Sequence, residues 1–308
     1  MALIVTLRAL GLGDLLAGIP ALRAVRAAFP GDRHVLAAPA ALEPLALLSG
    51  AVDAVTDTAE LAPLAPGLHH AGLLVNLHGS GPQSHRIALG TRPQRLIAFA
   101  HPDVPQTAFA PRWRNREHER ERWCRLLRES GIPADPAHLS LRPPDADPPA
   151  RAVGATVVHP GAASPARRWP AERFARLARV EREHGRDVVV TGSAEERPLA
   201  EAVARQAGLP PGAVLAGRTD LITLAAAVAA AGCVVSGDTG VAHLAVAFGT
   251  PSLTLFGPVA PAEWGPPPSG RHRVLWRGRR GDPHGSEVDP GLYAIDADEA
   301  LLELNRVS

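Results

Sequence analysis

Short apolar runs alternate with longer amphipathic stretches almost from one end of the chain to the other. Residues 2–7 form an apolar run interrupted only by Thr6, the pattern of a strand covered on both faces. Arg8-Ala9-Leu10-Gly11-Leu12-Gly13 is a glycine-punctuated turn, and Asp14 opens a helix over 15–29 with Ile19, Leu22, Val25 and Ala28 on one side. Strands are predicted next at 34–38 and 51–55, on either side of a helix over 41–48. A buried strand at 71–77 leads into a polar loop over 78–86, then a short strand at 94–99 and a loop over 101–112. A charged helix over 114–130 follows, with Trp123, Leu126 and Leu127 among its apolar positions.

Between 132 and 151 stand Pro133, Pro136, Pro143, Pro144, Pro148 and Pro149, a density that neither a helix nor a central strand accepts. This stretch reads as a linker between a first domain, 1–150, and a second, 151–308. The alternation then restarts. Strands are predicted at 155–159, 187–191, 213–215, 233–235 and 252–256, with helices over 171–184, 195–207, 221–231 (capped by Asp220) and 240–248 (stopped by Gly249). Residues 259–291 read as loop with one strand at 274–276, and 297–306 as a last helix, free to pack back on the first domain. Repeated strand–helix alternation specifies parallel sheets with right-handed crossovers, so the fold class is α/β with two Rossmann-like domains.

Composition narrows the function. Hydrophobic residues make up 46% of the chain but aromatic residues only 4%, so the cores must be built from Ala, Val and Leu. All 32 basic residues are arginine, and the net charge of +1 gives no global field for nucleic acid or an anionic membrane. Cys124 and Cys233 lie in apolar contexts and read as free buried thiols of a reducing compartment. No cluster of residues has metal-ligand spacing, so no metal is expected. The run Met1–Leu7 is too short and uncharged for a signal peptide, and no run approaches the ~18 apolar residues that suggest a membrane span. The expectation is a cytoplasmic protein that leaves peripheral membrane contact open.

Candidate chemistry gathers in loops that follow strands. Gly11-Leu12-Gly13 invites a dinucleotide reading, but the third glycine of that fingerprint would fall on Leu16. What remains is Asp14 at a helix start, either a cap or a carboxylate at the ligand-binding edge of a parallel sheet, where it can act as a general base. Asp238 carries the same ambiguity. Thr239, Gly240 and His243 converge beside it at a helix N-terminus, a ready site for phosphate. Arg167 and Arg168 lie in the loop after the 155–159 strand, anchored by Trp169-Pro170, and a guanidinium fork suits a diphosphate. A carboxylate in one domain and an anion cradle in the other, facing a cleft, is the layout for sugar transfer from a nucleotide donor. A nucleotide-sugar epimerase or hydrolase and a catalytically inactive nucleotide-binding module are the alternatives.

These residues resemble glycosyltransferase family 9, the ADP-heptose heptosyltransferases. The likeness rests on Gly13-Asp14 with Ile19-Pro20-Ala21-Leu22-Arg23, on His159-Pro160-Gly161-Ala162 with Arg167 to Phe174, and on Asp238 to Leu244 continuing through Pro251, Leu255-Phe256-Gly257-Pro258 and Trp264-Gly265-Pro266. The resemblance implies a GT-B fold and inverting, metal-independent transfer of a heptose or related sugar from ADP-heptose or another nucleotide sugar to an acceptor hydroxyl. It implies that Asp14 deprotonates the acceptor. It implies that Arg167, Asp238, Thr239, Gly240 and His243 hold the donor diphosphate, with Gly13, Pro160 and Gly161 in the same motifs. Separately, Gly217-Arg218-Thr219 is expected near the nucleoside, with Thr219 the donor-side candidate. His78, Gln83 and Arg86 of the 78–86 loop are the acceptor-side candidates.

Overall fold

The computed structural model describes residues 1–307 and divides into two compact units, Met1–Leu141 and the remainder from Arg142, parting inside the proline-rich stretch. The first unit runs β1 (Leu3–Leu7), α1 (Leu12–Ala28), β2 (Arg33–Ala38), α2 (Glu43–Leu48), β3 (Ala54–Asp57), β4 (Leu73–Asn76), α3 (Gln83–Gly90), β5 (Arg95–Ile97) and α4 (Glu119–Glu129). Its five strands, all parallel, lie in the order β3-β2-β1-β4-β5. The second unit runs β6 (Thr156–His159), α5 (Ala171–Glu183), β7 (Val188–Val190), α6 (Arg197–Ala207), α7 (Leu221–Ala230), β8 (Cys233–Gly237), α8 (Gly240–Phe248), β9 (Ser252–Leu255), α9 (Pro261–Trp264), β10 (His272–Leu275), α10 (Pro290–Tyr293) and α11 (Ala297–Leu304). Its parallel sheet has the order β10-β9-β8-β6-β7.

Both orders reverse direction once. The chain winds outward from β1 through β2 to β3 and returns beside β1 as β4; in the second sheet it leaves β6 for β7 and returns on the other side of β6 as β8. Open α/β sheets bind ligands outside the carboxyl ends of the strands at such reversals. The loops after β1 and β4, and after β6 and β8, are therefore the places to look.

Strands and helices meet through small apolar side chains, as the low aromatic content requires. Val5, Leu7, Val35 and Leu74 make one core, and Val158, Val190, Val235 and Leu253 another, where Trp169 meets Phe174 edge-on at 5.0 Å. The last helix packs on α5 and β9 within its own unit, tied by Arg273 Nε to Glu303 Oε2 at 2.6 Å. Both cysteines are buried free thiols, each pushed up to about 12 by burial. Among the described residues no helix is long and apolar enough to cross a membrane.

Several elements differ from the sequence pattern, among them α9 and α10, short helices inside the stretch read as loop over 259–291, and α1, which begins at Leu12 rather than at Asp14. The charged helix starts at Glu119 rather than 114, because Arg116 takes φ +58° and His118 caps the first turn through its ring nitrogen. The strand at 213–215 shrinks to a single bridge between Val190 and Val214, because Pro210-Pro211 feed a 3-10 turn instead. Helix α3 starts inside the loop read over 78–86. There the buried Asn76 side chain donates to Ser84 Oγ (3.0 Å) and His85 Nδ1 (3.1 Å), and His85 Nε2 donates to the Phe99 carbonyl (2.7 Å).

His34 gives the first unit an acid sensitivity. Its Nδ1 lies 2.8 Å from the Ala51 carbonyl, so Nδ1 carries the proton and Nε2 accepts from the Thr6 hydroxyl at 2.8 Å. Burial drives its pKa down to about 4. Below about pH 6.5 the unfolded chain binds a proton that the folded chain refuses, so stability present above that pH is lost on the way down to 4. Urea unfolding is expected to show up to about 3 kcal/mol lost to this group across that window. His34→Gln should flatten the slope; an unchanged slope would assign the acid sensitivity elsewhere.

Candidate functional site

In the first unit the site forms where β1 ends. Gly11, with extended backbone, holds the N-cap of α1 without a side chain, so Asp14 is not the cap; it stands at the third helical position. Just before the turn, Arg8 is fully buried, and its guanidinium organises everything near Asp14. Nε donates to the Asp14 carbonyl at 2.5 Å, Nη1 donates to the Leu77 carbonyl, and Nη2 meets both Asp14 Oδ1 (3.3 Å) and Glu119 Oε1 (3.1 Å). Glu119 is held in turn by Arg122 and by Trp123 Nε1 at 2.7 Å, while the Arg8 guanidinium lies 5.1 Å from the Trp123 ring. Gly18 makes the room: a Cβ there would stand 3.0 Å from Arg8 Cδ and Nε.

This environment tunes Asp14. Burial raises its pKa above the ordinary aspartate range; the Arg8 cation opposes that, the Glu119 carboxylate adds to it, and the Gly11 backbone lowers it. Yet 29% of the Asp14 side chain remains open to solvent. His78, in the loop after β4, joins this edge: its Nδ1 accepts from the Ala9 N–H at 3.2 Å, and burial followed by the Arg8 charge lowers its pKa. Gln83 is an exposed residue at the start of α3. Arg86, also exposed, lines a cavity of about 380 Å³ with Pro63, Leu64, His69 and Thr91.

In the second unit the loops after β6 and β8 pack on each other. A Cβ at Gly237 would stand 3.0 Å from the Arg167 carbonyl, so the close approach needs glycine. Arg167 ends a 3-10 turn over Pro165–Arg167, and its Nη1 donates to the Asp238 carbonyl at 3.4 Å. Trp169 anchors this loop by donating Nε1–H to the Ile295 carbonyl at 3.1 Å, and Arg168 Nε is engaged by the Ala162 carbonyl at 2.8 Å. Thr239, not Asp238, is the N-cap of α8, and its side chain makes no capping bond. Gly240 opens the helix. His243, one turn on, lies with Nε2 3.8 Å from Asp238 Oδ1 and its ring edge-on to Trp264 at 5.7 Å. Arg167 Nε and Thr239 Oγ1 are buried without a hydrogen-bond partner.

The remaining motif residues are spread over both units. Pro160 and Gly161 are buried after β6, and a Cβ at Gly161 would come within 2.2 Å of the Glu196 carboxylate. His159 is buried with Nδ1 3.1 Å from Thr191 Oγ1, and burial lowers its pKa. Thr219 is half-buried immediately before Asp220, whose carboxylate caps α7 from the Thr223 N–H at 2.8 Å. Gly13 lies in the first turn of α1, next to Asp14. Two groups escaped sequence reasoning, Arg8 and Glu119. The available signal was a charge directly after a buried strand, which must find a carboxylate partner.

The first unit therefore offers a shaded carboxylate. The second offers a guanidinium, a hydroxyl and the N-terminus of a nine-residue helix, all suited to phosphate. Comparison with known proteins agrees in kind. The family description "glycosyltransferase family 9 (heptosyltransferase)" matches residues 109–289. The chain is similar to lipooligosaccharide heptosyltransferase 2 of Haemophilus influenzae, 34% identical over 161 residues that make up 48% of this chain and 45% of that one. The match thus spans a little under half the length of that curated relative. In fold it is similar to the ADP-heptose lipopolysaccharide heptosyltransferase II of Escherichia coli, with TM-score 0.79 and 21% identity over 100% of this chain and 98% of that one. A family 9 glycosyltransferase of Veillonella parvula gives TM-score 0.78 and 19% identity over 99% and 97%.

Proposed function

The chain belongs to glycosyltransferase family 9, and from that premise we propose that it transfers a heptose or related sugar from a nucleotide-sugar donor, ADP-heptose first among them, to an acceptor hydroxyl. The transfer is a single displacement with inversion. Asp14 takes the proton of the acceptor oxygen as that oxygen attacks the anomeric carbon, and the nucleoside diphosphate departs. Negative charge grows on the departing diphosphate, where Arg167, the Thr239 hydroxyl, the Gly240 end of α8 and His243 stabilise it. That supply of positive charge needs no metal.

The observation that carries this reading is the buried pair Arg167 Nε and Thr239 Oγ1, donors without partners at a helix N-terminus. A buried donor left unpaired costs about 1–3 kcal/mol, a cost that a diphosphate oxygen removes. Asp238 positions His243, and Pro160, Gly161 and Thr219 shape the approach of the donor. His78, beside the Asp14 turn, is the acceptor-side residue that its position favours. The test is incubation with ADP-heptose and a panel of hydroxyl acceptors, following ADP release and product mass. A new glycoside formed only with acceptor is expected. ADP release without acceptor would replace transfer by hydrolysis, and binding without turnover would leave a nucleotide-binding module.

A further inference from the structure

The Arg8 guanidinium touches no solvent, yet it contacts the Asp14 carboxylate, the Asp14 carbonyl, the Leu77 carbonyl and the Glu119 carboxylate together. A buried cation is tolerated when it is paired and hydrogen-bonded, and here four of the five guanidinium N–H donors have partners, two of them carboxylates. The groups facing Asp14 are Arg8 after β1 and Glu119 on α4; His78, from the loop after β4, faces Arg8. Arg122 and Trp123 fix Glu119 from behind. One nitrogen, Nη2, bridges two carboxylates, of which one is open to solvent and the other sealed.

We propose that Arg8 is a positioning residue for Asp14, aiming the carboxylate and keeping it ionised, with Glu119 as the sealed counter-charge that sets how strongly Arg8 does so. The proposal rests on Asp14 being the base. Arg8 holds Asp14 at both ends, carbonyl and carboxylate, which fixes the side chain on the first turn of α1. Glu119 draws on the same nitrogen and carries like charge, so it works against ionisation of Asp14. The two neighbours therefore act with opposite signs, which a merely structural role would not produce.

The full-length protein labelled with ¹³C at aspartate carboxyls provides a direct readout, the Asp14 resonance being identified by its loss in Asp14→Asn. Arg8→Gln is expected to move the Asp14 titration midpoint upward by about one unit or more. Glu119→Gln is expected to move it downward, and Arg8→Lys to recover part of the Arg8→Gln shift. The acid limb of the kcat profile should follow each midpoint while donor KM stays nearly constant. Shifts of the same sign in Arg8→Gln and Glu119→Gln, or none in either, overturn the proposal. If Arg8→Gln does not fold, Arg8→Lys and Glu119→Gln carry the test by the same criterion of opposite signs. Full turnover by Asp14→Asn would instead remove the base reading, whatever the titration shows.

Discussion

Asp14→Asn is expected to lower turnover by about 10²- to 10⁴-fold, the contribution typical of a positioned general base. The amide is nearly isosteric and can still accept from the Gly11 backbone and the Arg8 guanidinium, so the first turn of α1 keeps its shape. What it lacks is a site for the acceptor proton. Arg8 keeps its contact with Glu119, which it shares with Arg122, so the buried guanidinium still has a carboxylate partner. Calorimetric titration with ADP should therefore give nearly wild-type affinity, since the groups proposed for the diphosphate lie on the other unit. The pH profile adds a second signature. Burial raises the Asp14 pKa, and the base works only when ionised, so the rate should fall on acidification through a midpoint above the ordinary ~3.9. That limb should vanish from the residual activity of Asp14→Asn. An equal loss of ADP affinity would make Asp14 a binding group rather than the base.

Why Asp14 could be found in the sequence, and Arg8 could not, follows from how each is held. The strands of both sheets announce themselves as short apolar runs, and the helix stop at Gly249 needs a left-handed residue, which glycine supplies at φ +70°. Motif residues such as Asp14, Arg167 and Thr239 lie in the segments that come after β1, β6 and β8, so chain order alone places them beyond the carboxyl ends of strands. The capping question was different. Asp14 and Asp238 are both plausible caps by residue type, and the backbone of Gly11 and Thr239 decided against them. Arg8 meets Glu119 across 111 positions of sequence, a pairing that no periodicity encodes. The start of α3 depends likewise on Asn76, His85 and Phe99 meeting in the folded sheet, so its residues read locally as polar loop.

Arg167→Met is expected to reduce kcat/KM by about 10²–10³-fold, the scale seen when one preorganised donor to a developing charge is removed. Methionine retains an apolar stem for the half-buried part of the side chain, so the loop anchored by Trp169 should hold its conformation. The loss should appear in donor affinity as well as in turnover, because the guanidinium acts on the bound diphosphate before and during its departure. Arg167→Lys restores charge without the planar fork and should recover part of the deficit, more at low ionic strength than at high. The neighbouring Arg168→Met supplies the contrast. Its Nε is committed to the Ala162 carbonyl, so its removal should loosen the loop slightly and leave ADP binding near wild type. Titration of both variants with ADP decides the matter: normal affinity in Arg167→Met together with lost affinity in Arg168→Met would transfer the phosphate contact to the second arginine and take the Thr239 hydroxyl out of the donor site.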